Sequence, residues 1–178
     1  FLASWDSFGI SHVSPTTIRY VKVLSDLTTL YGDLSGFNIV EIGAGYGGLC
    51  NIIHKKQKFA RYYDVDLPEP LALSSLYCKR LGIDNFNVVQ IDSLEKLEDV
   101  EIDLVISNYA FSECNYETQD IYIDKILSKA KRGYITHNTG LERQERTKNI
   151  IKNYNNFRIF DKDLCKKGHP IFVQCCWL

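Results

Sequence analysis

Two rhythms of apolar residues alternate along the chain, one with the spacing of helices and one with that of buried strands. Tyr20, Leu24, Leu27 and Tyr31 recur at i, i+4, i+7 and i+11, the stripe of an amphipathic helix. Ser14-Pro15 opens this helix as a cap followed by proline at the first helical position, and Gly32 ends it. Phe37 to Ile42 is a first strand, and Leu49, Ile52 and Ile53 mark a helix running to about Gln57. Phe59 to Val65 is a second strand that closes at Asp66-Leu67-Pro68, where proline opens a helix ending at Leu81 before Gly82. Asn87 to Ile91 and Ile102 to Ser107 are the third and fourth strands. Ile123, Ile126, Leu127 and Ala130 return to helical spacing, with Gly133 as the expected stop and Tyr134 to Thr136 as the start of a fifth strand. Thr147, Ile150, Ile151 and Tyr154 predict one more helix, and Phe157 to Phe160 and Ile171 to Trp177 the last strands.

Strands alternating with helices predict an α/β fold, a Rossmann-like doubly wound sheet that is mostly parallel and covered on both faces. The last two strands lack a long helix between them, so they should form a hairpin and leave one C-terminal antiparallel strand. Residues 1–35, a mixed aromatic leader and the first helix, are expected to cap the substrate, and 36–178 to form the cofactor-binding domain. In such sheets a ligand lies outside the carboxyl ends of the strands, where strand order reverses. The residues just past each strand are therefore the ones to read for chemistry.

Composition narrows the partners. The 178 residues suit one domain, and a formal net charge of −1 offers no footprint for nucleic acid or an anionic membrane. No apolar run is long enough to span a bilayer. Six cysteines without C-x-x-C or zinc spacing predict thiols in a reducing, cytoplasmic compartment and no metal site. With no methionine and Phe1 at its start, the chain reads as part of a longer protein. Nothing in the pattern fixes an oligomeric state.

The turn after the first strand carries the strongest chemical signal. Glu41-Ile42-Gly43-Ala44-Gly45-Tyr46-Gly47-Gly48 links strand to helix, and glycine there permits tight dihedrals and close approach of a ligand. The following helix adds free N–H groups and the positive end of its dipole. Gly43-x-Gly45-x-x-Gly48 also matches the dinucleotide fingerprint, with Asp66 about twenty residues on, so NAD is one candidate cofactor. Glu41, two residues before the first glycine, argues for the other. A carboxylate at the mouth of the pocket repels a pyrophosphate but welcomes the ammonium and sulfonium of S-adenosylmethionine.

Asp66 is suited to accept two hydrogen bonds from a ribose diol, with Leu67 beside it, although it could instead cap the helix at Pro68. Asp92 could accept from the adenine amino group and the Ser93 N–H could donate to the ring, or the pair could simply form a turn. Asp64 is expected on the opposite side of the strand. Asn108 should line the cofactor together with Gly43, Ala44, Gly45, Tyr46 and Gly47.

Glu41-Ile-Gly-Ala-Gly-Tyr-Gly-Gly, Asp66-Leu-Pro-Glu, Ser107-Asn-Tyr-Ala-Phe-Ser-Glu113 and Gly133-Tyr-Ile-Thr-His-Asn138 together resemble the sugar O-methyltransferase family, within the class I S-adenosylmethionine-dependent methyltransferases. The similarity runs over nearly the whole chain from about residue 9, and the Asn-x-Ala-Phe-Ser-Glu block is its most specific part. It implies O-methylation of a sugar or sugar-containing small molecule or glycan, and relatives with longer N-termini that carry part of the acceptor surface. Neither the Asn-Pro-Pro-aromatic block of amino-methylating DNA enzymes nor the Pro-Cys pair of cytosine C5 enzymes is present.

Methyl transfer to a hydroxyl needs a base, because an alcohol holds its proton far above neutral pH. Glu113 is the first choice, as the ionisable residue between the fourth strand and the next helix, though it could merely cap that helix near Tyr116. His137 is the second choice and His12 the third. Tyr109, Asn138 and His12 are the candidate acceptor-binding residues. An NAD-dependent oxidoreductase and a non-catalytic scaffold of the same fold are the rival readings.

Overall fold

The structure is a computed structural model and describes residues 3–5, 10–137, 146, 149, 158–162 and 172–177. Strands β1 (Ala3–Trp5) and β2 (Ile10–Val13) pair antiparallel in a small ribbon of their own. Helix α1 (Pro15–Tyr31) starts as the sequence predicts: Ser14 Oγ accepts a hydrogen bond from the Thr16 N–H, and Pro15 follows. Then come β3 (Asn38–Ile42), α2 (Gly48–Lys56), β4 (Arg61–Asp66), α3 (Pro68–Arg80), β5 (Phe86–Gln90) and a 3-10 stretch, Ile91–Leu97. The chain continues through β6 (Leu104–Asn108), α4 (Ala110–Glu113), α5 (Tyr116–Lys125), β7 (Gly133–His137), β8 (Arg158–Lys162) and β9 (Phe172–Trp177).

Seven of these strands form one sheet in the order β5-β4-β3-β6-β7-β9-β8. β9 runs antiparallel to both neighbours, and the pairs from β5 through β7 are parallel, so the terminal hairpin is where the sequence puts it. Strand order reverses between β3 and β6, which sets the crevice at their carboxyl ends. Alternation along β3 divides the core. Ile39 joins Tyr20, Val23, Leu27, Leu49, Ile53 and Cys78 on the side of α1, α2 and α3, while Val40 and Ile42 join Phe111, Tyr122 and Leu127 on the other. Helix α1 thus packs into the main core, and the Tyr31 hydroxyl donates to the Gly133 carbonyl at the start of β7.

One helix boundary differs from expectation. The helix around Ile123 ends at Lys125 and does not reach Gly133, which instead opens β7. Ile126 leaves helical geometry at φ −123° and ψ −60°, and Leu127–Lys129 forms a single 3-10 turn. Ile126 and Leu127 are both fully buried in the core that also holds Tyr122 and Phe111. The helix expected over Thr147, Ile150, Ile151 and Tyr154 lies outside the described residues.

Candidate functional site

The glycine turn is held from beneath. The Gly43 N–H donates to the Val65 carbonyl and the Gly47 N–H to the Ala44 carbonyl. Gly43 has φ +79°, and a Cβ there would lie 2.1 Å from the Cβ of Ala110, so α4 sits directly against the turn. Gly45 has φ +61° but a Cβ there would meet nothing within 4 Å: this point of the turn faces open space. The Gly45 N–H donates to Oδ2 of Asp66 at 3.2 Å and the Leu67 N–H to Oδ1 at 2.8 Å. Asp66 is thereby fixed at the lip of the crevice, with lone pairs remaining for a diol. Leu67 beside it is largely exposed. Tyr46 packs its ring 6.1 Å from Tyr20 of α1 and 5.2 Å from Tyr77 of α3.

Beneath the turn, Glu41 is buried, with Oε2 accepting a 2.5 Å hydrogen bond from the Tyr62 hydroxyl and Oε1 one from Asn108 Nδ2 at 3.4 Å. Burial drives its carboxyl up to about 8; the Tyr62 bond opposes this and the Asp64 charge adds to it. Asp64 departs from the sequence expectation. It stands two residues from Asp66 and so shares its face, buried, with Oδ2 accepting from Ser74 Oγ at 2.6 Å. Its carboxyl is likewise pushed up, to about 7, chiefly by burial. Two neutral-leaning carboxyls under the loop suit a ligand that brings positive charge and would oppose one that brings phosphates.

The segment after β6 is tied to this layer. Ser107 Oγ donates to the Ile42 carbonyl and accepts from the Phe111 N–H, each at 3.0 Å. Asn108 is turned inward, since besides Glu41 it receives Thr136 Oγ1 of β7 on its Oδ1. Tyr109 takes φ +76°, a strained conformation for a bulky residue, and starts α4 there. In α4, Phe111 and Cys114 face the core, whereas Glu113 is exposed and lies three positions after Ala110, the residue that meets Gly43. Glu113 does not cap the next helix: Asn115 does, accepting from the Thr118 N–H at 2.8 Å. Gln119 of α5 donates to the carbonyls of Phe111 and Cys114, fixing α4 from behind.

Asp92 and Ser93 fall in the 3-10 stretch past β5, Asp92 exposed and Ser93 partly buried. His137 ends β7 with its side chain fully buried. His12 lies in β2, but its side chain, like Asn138, is outside the described residues. Sequence reading missed Tyr62, Ser74, Thr136 and Arg19, whose guanidinium carbon sits 5.1 Å from the Tyr109 ring centroid. Only Tyr62 had a signal, since it alternates with Asp64 and Asp66 along β4. Among the described residues no group of three or more His, Cys, Asp or Glu is arranged to hold a metal ion.

The fold has solved counterparts. A methyltransferase from Aquifex aeolicus described as S-adenosylmethionine-dependent superposes with a TM-score of 0.66 at 16% identity, over 93% of this chain and 94% of that one. An rRNA methylase from Streptococcus thermophilus gives 0.65 at 16%, over 93% and 96%. TrmK of M. capricolum, in complex with the cofactor product S-adenosylhomocysteine, gives 0.59 at 16%, over 92% and 67%. At these identities the likeness carries the fold alone, so it favours neither a glycan nor RNA as acceptor. No curated protein matches in sequence. The family model described as "Methyltransferase small domain" matches residues 22–140, which hold the glycine turn, Asp66 and the segment after β6. The chain therefore belongs to the methyltransferase small-domain family, within the class I methyltransferases, and its cofactor is S-adenosylmethionine.

Proposed function

We propose that this methyltransferase transfers the methyl group to a hydroxyl oxygen of a sugar or sugar-containing acceptor, with Glu113 as the base. One observation supports the reading: Asn108 and Phe111 are used inside the protein, while Glu113 is exposed in α4, three positions after the Ala110 that packs against Gly43. An enzyme that reads a flipped base needs polar groups for its edge and an aromatic surface for its face. Phe111 is fully buried and Asn108 already serves Glu41 and Thr136, so neither supplies this.

When bound, the cofactor supplies an electrophilic methyl on its sulfonium. In this reading Glu41, Gly43, Ala44, Gly45, Tyr46, Gly47, Asp66, Leu67, Asp92, Ser93 and Asn108 hold it, with Asp66 on the ribose diol and Glu41 near the ammonium. The bound cofactor would supply its methyl to the acceptor oxygen, leaving S-adenosylhomocysteine, and Glu113 would take the hydroxyl proton and pass it to water. Alignment of oxygen, carbon and sulfur supplies much of the rate. His137 is the second base, while His12, Tyr109 and Asn138 meet the acceptor and residues 1–35 cover it. Cys50, Cys78 and Cys114 are in no disulfide, which fits a cytoplasmic setting, and no helix among the described residues is long and apolar enough to cross a membrane.

The test is transfer of an isotopically labelled methyl group to a panel of nucleotide sugars, free sugars and RNA, read by mass spectrometry. Label on a sugar oxygen is expected. Label on RNA alone rejects the acceptor assignment, and no turnover with any of them favours a non-catalytic scaffold.

A further inference from the structure

The outer face of α3 carries a pattern that neither the core nor the crevice uses. Leu71, Ser74 and Cys78 are the buried positions of this helix, and Ser74 is bonded to Asp64 of β4, so that side is fixed against the sheet. The opposite side holds Glu69, Leu73, Leu76 and Arg80, all exposed, with Leu73 at 55% and Leu76 at 49%. They are spaced by four, three and four residues, the seam spacing of helices that pack on one another. A helix side that faces only water carries polar residues at such middle positions. Single exposed leucines are ordinary. These two are neighbours at i and i+3, with opposite charges at the two ends of their seam.

The order along the seam is self-complementary. Turned end for end about a point between Ser74 and Ser75, α3 sets its Leu73 against Leu76 of a second copy and its Glu69 against Arg80 of that copy. The same two-fold axis repeats both contacts the other way round, so two leucine pairs are covered and two ion pairs form. A parallel pairing would oppose Glu69 to Glu69 and Arg80 to Arg80, and would set like ends of the helix dipoles together. The seam holds one acid and one base, not the row of cations by which a helix grips an anionic lipid surface. We propose that the outer face of α3 is a docking surface for a second copy of this chain, the two α3 helices packing antiparallel through Glu69, Leu73, Leu76 and Arg80. Contact between two helices of 13 residues is smaller than a standard interface, so the dimer is weak, with a dissociation constant on the order of 10–100 μM.

The experiment is sedimentation equilibrium of the protein from about 10 μM to about 1 mM, where a reversible monomer–dimer equilibrium is expected. Leu73→Ser and Leu76→Ser should each weaken the dimer at least about tenfold, while the fold and the affinity for S-adenosylhomocysteine stay unchanged. Charge reversal reads the orientation. Glu69→Arg brings two cations together at each end of the seam and Arg80→Glu two anions, so each variant alone should dimerise at least about tenfold more weakly. Mixed in equal amounts, the two variants should pair with each other at close to wild-type affinity. Positions 69 and 80 lie about 16 Å apart along one helix, so recovery on mixing cannot come from a contact within one copy. The serine variants decide the matter if a charge reversal disturbs the helix. A protein that stays monomeric to about 1 mM overturns the proposal, and binding of anionic phospholipid vesicles by that monomer would assign the face to a lipid surface. A dimer that both serine variants leave intact, or folded charge-reversed variants that fail to pair on mixing, overturns it as well.

Discussion

Glu41 and Asp64 are register partners across β3 and β4, and both carboxyls are buried on the same face of the sheet. Paired like charges at opposed positions destabilise a sheet, and burial compounds the effect. Both groups titrate high, to about 8 for Glu41 and about 7 for Asp64, chiefly because they are buried; the charge of Asp64 adds to the first shift and that of Asp66 to the second.

Their burial sets a pH dependence. Both groups keep their protons in the folded chain at pH values where the unfolded chain has released them. Stability without cofactor should therefore fall as pH rises from about 4 to about 8 and level off above. Glu41→Gln should flatten the upper part of that slope. The check is the denaturant midpoint across pH for both proteins; parallel curves would assign the slope to other groups.

Cofactor binding should use the same protons. An ammonium near Glu41 favours its ionised form, so S-adenosylhomocysteine should bind more tightly as pH rises toward 8 and release protons on binding near pH 7. Calorimetry in two buffers of different ionisation enthalpy measures that release. Its absence would separate Glu41 from the ammonium.

Two glycines of one turn should fail in different ways. Gly43→Ala places a methyl 2.1 Å from the Ala110 side chain at φ +79°, so it should destabilise the fold by roughly 1–3 kcal/mol or more. Gly45→Ala faces open space at φ +61°, so its larger effect should be on cofactor affinity. Unfolding midpoints and S-adenosylhomocysteine titrations on both variants decide the matter. Equal effects on both quantities would contradict the assignment of Gly45 to the ligand side.

Asp66→Ala should weaken S-adenosylhomocysteine binding by about 1–3 kcal/mol, because the ribose hydroxyls lose their acceptor. The Gly45 and Leu67 N–H groups lose the same carboxylate, so the turn itself should loosen. Asp66→Asn keeps one acceptor oxygen and should fall between. Wild-type affinity in a folded Asp66→Ala protein would remove this residue from the site.

The parts of the fold that read directly from sequence are those written in neighbouring residues. Ser14-Pro15, the glycine turn, Asp66-Leu67-Pro68 and the terminal hairpin each follow from a local rule. The Tyr62–Glu41 bond and the Asn108–Thr136 link were not legible, because both depend on which strand lies beside which. Asp64 was misplaced against a rule that was legible: two residues from Asp66 on one strand, it shares that face. Arg19 gave no signal because its partner, Tyr109, is remote in sequence and reaches it through a positive φ that favours glycine. The early end of α5 was not legible either, because the apolar period runs on through Ile126, Leu127 and Ala130 while helical geometry stops at Ile126.

The central claim, that Glu113 takes the proton of an acceptor hydroxyl, is tested most directly by single-turnover methyl transfer with Glu113→Gln on an acceptor found by the sugar panel. The variant should bind S-adenosylmethionine as the wild type does and transfer the methyl group about 10²–10⁴-fold more slowly. Transfer within a few-fold of wild type across the pH range would contradict the claim and pass the role to His137.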